Sequence, residues 1–338
     1  MLDGLVVRAH GSSFGVELGD ETIVDCTMRG RHRLLNEAVT SPLTVGDRVR
    51  VKRVEEIGEG ESQGTIEEIL PRRNKISRTA SGEVPLEQVL AANVDGVAAI
   101  FAYRGPRADP RLVQRLLLAA ETGGVEPILV LNKLDLARRK ELRAAEELAT
   151  LLKPTGYLVL GTSALTGEGL DELRTWMAGK TCAFVGPSGA GKSSLANAMA
   201  PGLGLRVGAI SRKTGTGRHT TSWASLVRMP NGARLVDTPG IGILDTWGVD
   251  PEDLVRWLPD LAPYGGSCEW RNCGHRAGEV GCALAAAVEA GEIARERLVF
   301  YRDMYATLEQ RRDRLEEHPG EGARPEPESD WEERWVED

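Results

Sequence analysis

The stretch 184-FVGPSGAGKSSLAN-197 sets a short apolar run ahead of three glycines, a lysine and three serines. Gly186-Pro187-Ser188-Gly189-Ala190-Gly191-Lys192-Ser193 matches G-x-x-x-x-G-K-[ST] at every fixed position, and Ser194 follows it. The surroundings also fit, with a strand predicted over Cys182 to Val185 and a helix from Lys192 to about Met199. Glycines let backbone N–H groups converge on phosphate oxygens, and a helix N-terminus adds a favourable dipole. In that arrangement Lys192 reaches the β- and γ-phosphates, and the Ser193 hydroxyl is a ligand for Mg²⁺. Residues 186–194 are therefore candidate nucleotide contacts.

About fifty residues upstream, 130-VLNKLDL-136 closes a second apolar strand. An aspartate at Asp135 can accept hydrogen bonds from guanine N1–H and the 2-amino group. Adenine offers neither donor, and a site built on such bonds rejects the wrong ligand by about 10⁴-fold or more. Lys133 would lay its stem over the base, and Asn132 would brace neighbouring loops. In 162-TSALTGEGL-170 the backbone at Ser163 and Ala164 is placed to donate to guanine O6. Downstream, 237-DTPG-240 ends a further strand, with Asp237 suited to hold Mg²⁺ through water and the Gly240 N–H to meet the γ-phosphate.

In chain order these elements run base, base, phosphate, γ-phosphate. Ligands of an open parallel sheet sit at the carboxyl ends of the strands, whichever strand comes first in the chain. Cutting such a domain after the γ-phosphate motif and joining its old termini reproduces this order. The reading is a circularly permuted nucleotide-binding domain. A P-loop ATPase or kinase is the rival, and Asp135 speaks against it.

The rest of the chain fits around that domain. Residues 1 to about 78 show short alternating segments such as 14-FGVEL-18 and 48-RVRV-51, which predict a small β-barrel or sandwich. Basic runs 29-RGRHR-33, 48-RVRVKR-53 and 72-RRNKISR-78 gather at its edges, either to meet phosphates or to protect edge strands. From about 90, strands and helices alternate (strands at 94–103, 127–131 and 157–160; helices at 111–121, 138–152 and 170–177), which predicts a parallel sheet with helices on both faces. A hairpin pair at 223–229 and 233–237 follows, and after about 250 the chain reads as helical, ending in a long helix at 295–317.

Three of the five cysteines crowd beside one histidine: Cys268, Cys273, His275 and Cys282. Three thiolates and an imidazole suit a closed, structural Zn²⁺ site. Cys26 and Cys182 lie in strand patterns and are predicted to be core. The formal net charge is −8, yet residues 316–338 alone hold ten acids and two arginines, so the folded part is balanced. Global charge therefore says little about partners. No run reaches the ~18 apolar residues of a membrane span, and the start lacks a signal-peptide layout, so no membrane partner and a cytoplasmic location are expected. The acidic, proline-containing tail is expected to be disordered.

The order NKLD, GPSGAGKSS, 217-GRHTT-221, DTPG, with a basic β-domain in front and a Cys/His cluster behind, resembles the RsgA/YjeQ family of circularly permuted GTPases. The resemblance covers the chain to about residue 315. It implies an OB-fold over 1–78, a permuted GTPase domain over 79–246, a helical zinc-binding domain over 247–315 and a tail over 316–338. It also implies GTP hydrolysis late in assembly of the small ribosomal subunit, with that subunit and its rRNA as partners, GTP and GDP as ligands, and a monomeric chain. By the match to GRHTT, Thr221 would coordinate Mg²⁺ and sense the γ-phosphate. Ile241 stands where many GTPases place a water-orienting glutamine, which implies slow turnover alone. His219 is the candidate for positioning water instead. The family pattern has five residues between the histidine and the last cysteine, and this chain has six, with Gly278 and Gly281 available to absorb the extra one. The alternative function is a nucleotide-dependent RNA-binding adaptor with little turnover.

Overall fold

The computed structural model describes residues 1–28, 42–54, 63–80, 86–201, 224–237 and 244–317. The basic run at 29–33 and the tail from 318 onward fall outside them.

Five strands open the chain: β1 (Leu2–His10), β2 (Ser13–Leu18), β3 (Ile23–Met28), β4 (Arg48–Val54) and β5 (Gln63–Ile69). They pair in the order β1-β2-β3-β5-β4, and β4 returns to β1. That closure makes a barrel rather than a sandwich, and the order is that of an OB-fold. Alternation drives it: Phe14, Val16, Val24, Cys26, Val49, Val51 and Ile66 point inward and are buried together. Burial pushes the Cys26 thiol up to about 12, as expected of a core cysteine.

A two-stranded hairpin that the sequence pattern did not reveal follows, β6 (Lys75–Thr79) with β7 (Glu87–Ala92). It absorbs the third basic run. Arg72 makes a bidentate pair with the fully buried Asp47 (2.7 and 2.8 Å), Arg73 meets Asp95 at 2.6 Å and Lys75 meets Glu87 at 3.0 Å. In the second run, Arg50 pairs with Glu68 at 2.8 Å. These cations are engaged within the chain, and Arg50 and Arg73 remain about half exposed.

The central domain contains β8 (Gly96–Ala102), α1 (Pro110–Thr122), β9 (Glu126–Asn132), α2 (Arg139–Leu152), β10 (Leu158–Gly161), α3 (Leu170–Met177), β11 (Thr181–Val185), α4 (Lys192–Met199), β12 (Ala224–Arg228) and β13 (Arg234–Asp237). Strands β10, β9, β8, β11 and β13 run parallel in that order, with β12 antiparallel at the end. Every residue of β8 is buried, as a central parallel strand covered on both faces requires. Val97, Ala99 and Phe101 pack under α1 and α2 with Leu116 and Leu152, while Ala98 and Ile100 face α3 and α4 with Leu173 and Leu195. Helix α1 starts where Asp109 caps the Arg111 N–H at 3.0 Å and Pro110 sits in the first turn. Cys182 is fully buried, and its thiol is likewise pushed up to about 12.

The barrel and this domain share one sheet. Ala9 and Arg8 of β1 pair antiparallel with Ala224 and Ser225 of β12. Beyond the central domain lie α5 (Ala262–Gly265), α6 (Ala283–Glu289) and α7 (Arg295–Glu317). Leu298, Tyr301, Tyr305 and Leu308 form one buried face of α7, at helical spacing. Arg297, 2% exposed, makes a bidentate pair with Asp260 (2.6 Å twice) and donates to Gln114 of α1 at 2.7 Å.

Candidate functional site

The carboxyl ends of β9, β10, β11 and β13 carry NKLD, TSA, the glycine loop and Asp237 respectively. Because these strands lie side by side in one parallel sheet, the four motifs open on the same edge despite their order in the chain.

The glycine loop is shaped by close approach. Gly186 has φ +131°, and a Cβ there would lie 2.1 Å from the Ile100 carbonyl oxygen. Gly191 has φ +97°, and a Cβ would lie 2.2 Å from Asn132 Nδ2. Neither position has room for a side chain. Ala190 is fully buried, Ser188 and Gly189 are exposed, and Pro187, Ser193 and Ser194 are half-buried. Lys192 folds back so that Nζ donates to the carbonyls of Gly186 (2.6 Å) and Pro187 (3.1 Å), which holds its ammonium at the mouth of the loop. Burial pulls the Lys192 pKa below its ordinary value and raises that of Asp237. A bound phosphate beside the first and a cation beside the second would oppose both shifts.

Asn132 is the brace between the phosphate and base halves. It is 1% exposed; Nδ2 donates to the Ala190 carbonyl at 2.9 Å, while Oδ1 accepts from Thr162 Oγ1 (3.4 Å) and the Ala164 N–H (3.3 Å). Asp135 is exposed, and its Oδ1 accepts from Ser163 Oγ at 2.6 Å. One carboxylate oxygen is thereby fixed. Lys133, held at φ +64°, donates from Nζ to the Gly105 carbonyl at 2.6 Å. The Ser163 N–H donates to the Glu168 carbonyl at 2.9 Å, so it is spent within its own loop rather than aimed at a base. What Ser163 offers Asp135 is its hydroxyl.

His219, Thr221 and Gly240 lie outside the described residues. Two contributors escaped the sequence reading: Thr162 and the Gly105 turn that anchors Lys133. Thr162 lies within the TSALTGEGL stretch, while the Gly105 turn acts through a backbone carbonyl distant in sequence and left no local signal.

The second cluster lies in the helical domain. The ligand atoms of Cys268, Cys273, His275 and Cys282 all fall within 4.8 Å of one another. His275 Nδ1 is 3.4, 3.6 and 3.6 Å from the sulfurs of Cys268, Cys273 and Cys282. A tetrahedral ion with thiolate and imidazole bonds of the usual lengths needs N···S separations of about 3.6 Å, so the donor set fits one metal ion. Gly278 (φ +84°) and Gly281 (φ +74°) adopt left-handed backbone in the six-residue loop before Cys282. The Ala283 N–H donates to Cys268 Sγ at 3.2 Å, and Tyr301 packs edge-on to the His275 ring at 5.6 Å. Chelation is expected to unravel this cluster: a competing chelator should lower the thermal midpoint of the protein and expose three reactive thiols, read by thiol titration. A chelator that changes neither would mean the cluster holds itself without metal.

A parallel sheet bearing a glycine loop, a γ-phosphate aspartate and a guanine-type NKLD motif in permuted order defines a circularly permuted P-loop GTPase. The comparisons with known proteins agree. The sequence model of the RsgA GTPase family matches residues 69–247, and the chain belongs to that family. The small ribosomal subunit biogenesis GTPase RsgA of Moorella thermoacetica is 40% identical over 89% of this chain and 95% of its own length. The crystal structure of YjeQ from Thermotoga maritima superposes with a TM-score of 0.71 at 32% identity, covering 91% of this chain and 98% of that one. YloQ, described as a circularly permuted GTPase, gives 0.67 at 26% identity, covering 92% and 96%.

Proposed function

We propose that this GTPase acts in maturation of the small ribosomal subunit and turns over GTP rapidly only when docked on it. The observation that carries the catalytic part is the convergence of Asp135, Asn132, Lys192 and Asp237 on one sheet edge. The ribosomal part rests on the relatives, whose names state that role over nearly the whole length of this chain.

The chain's own residues divide the work. Asp135, fixed by Ser163, selects guanine; Lys133 flanks the base; the loop 186–194 wraps the phosphates; and the Lys192 ammonium neutralises charge that grows on them in the transition state. Ser193, Thr221 and Asp237 are the residues that would hold Mg²⁺, which would supply further neutralisation. His219 orients the attacking water, since Ile241 has no hydrogen-bonding group for it. The barrel over 1–78 and the helical domain over 247–315 grip rRNA on either side of the GTPase domain at 79–246, with Zn²⁺ in the Cys₃His cluster. The protein works as a cytoplasmic monomer; among the described residues no helix is long and apolar enough to cross a membrane.

Steady-state GTP turnover with and without purified small subunits tests this. At least a tenfold acceleration is expected, in line with the gains that docking partners give GTPases with incomplete sites. Binding to subunits without acceleration would instead favour an RNA-binding adaptor with little turnover.

A further inference from the structure

Strand β12 begins three positions after Thr221, so it is the anchor into which the candidate γ-phosphate-sensing segment runs. At the end of the central sheet such a strand would normally present an open edge. Here the protein's own barrel covers it, through the pairs Arg8↔Ser225 and Ala9↔Ala224. Two residue pairs make a short ladder. Side chains reinforce it.

Glu17 of β2, 11% exposed, sits between two arginines of the other domain. Its Oε1 lies 2.9 Å from Arg228 Nη2 and 2.5 Å from Arg234 Nη2, and its Oε2 accepts from Arg228 Nε at 3.2 Å. Arg228 also donates to Glu21 at 2.8 Å. One carboxylate thus ties β12 and β13 to the β1–β2 hairpin. Removing it would leave Arg228 and Arg234, cross-strand neighbours on β12 and β13, without the carboxylate that joins them to the hairpin.

We propose that Glu17 is a positioning residue for GTP hydrolysis: by clamping Arg228 and Arg234 it fixes β12 to the barrel, so that the barrel's contacts and the state of the nucleotide bias one another. The inference rests on the reading that turnover is governed by a partner held at the outer domains. Linkage makes the effect reciprocal, and couplings of this kind amount to roughly 5–150-fold.

Two measurements test it. Amide hydrogen exchange needs no subunit, so its failure is separable from failure of the ribosomal reading. In the unaltered protein, exchange over residues 8–18 should differ about tenfold between GDP and a non-hydrolysable GTP analogue. In Glu17→Gln and in Arg228→Gln that difference should vanish, while the glycine loop still responds to nucleotide and so reports an intact, loaded GTPase domain. A hairpin indifferent to nucleotide in the unaltered protein, or a difference that survives both substitutions, would overturn the proposal. In a titration with subunits, each variant should lose about tenfold in maximal turnover with an unchanged half-saturating concentration, and the double variant should lose no more than either single one. Weaker half-saturation with full maximal turnover would make Glu17 an RNA contact instead, and the proposal would fall.

Discussion

Asp135→Asn is expected to weaken GTP binding on the order of 10⁴-fold while improving the binding of xanthosine triphosphate. The reason lies in the Ser163 hydroxyl, which donates to Asp135 Oδ1 at 2.6 Å. In the asparagine variant the amide oxygen takes that bond, leaving the NH₂ group to face the base. Guanine presents N1–H and a 2-amino group, so donor would meet donor. Xanthine has a carbonyl at C2, which the amide can serve. Displacement of a fluorescent GTP analogue by GTP and by xanthosine triphosphate gives both affinities. Retained GTP affinity, or no gain for the xanthine nucleotide, would mean that Asp135 does not read the base.

The second large effect is expected at Lys192. Lys192→Ala should lower GTP turnover by roughly 10²–10³-fold, the range found when one preorganised charge is removed from a phosphate or oxyanion site. The lysine has two tasks here. Its Nζ bonds to the carbonyls of Gly186 and Pro187 tie the loop together, and its charge faces the phosphates. The alanine variant should therefore bind GTP more weakly as well as hydrolyse it more slowly, with and without subunits. Single-turnover kinetics at saturating GTP separates the two losses. Full turnover in the variant would show that another cation serves the phosphates.

The elements whose signals are local were legible in the sequence. Helices α3, α4 and α7 begin and end where the periodicity placed them, and the glycine loop follows its predicted strand. The motif chemistry depends on residues adjacent in the chain, so it could be read from the chain. The β6–β7 hairpin could not. Its residues 75-KISRT-79 look like a charged surface run, because Ser77 and Glu87 are buried against each other at 2.6 Å and satisfy their polarity in private. The partners of Arg72 and Arg73 were hidden for the same reason: their acids, Asp47 and Asp95, lie more than twenty positions away. The two-residue ladder between β1 and β12 is shorter than any pattern that alternation can announce. In the loop after β10, sequence pointed to the Ser163 backbone, and the structure adds a hydroxyl contact to Asp135 that spacing did not show.

The buried salt bridge of Arg297 with Asp260, and the hydrogen bond from Arg297 to Gln114, bear on how the molecule comes apart. Gln114 belongs to the nucleotide-binding half, while Asp260 and Arg297 belong to the cysteine-bearing half, and Leu118 of α1 packs among the apolar side chains of α7. A fragment ending near residue 250 would strand an amide and bare a greasy flank on α1. The cysteine-bearing half is therefore no detachable bead on a string, and the two halves should melt as a single cooperative body.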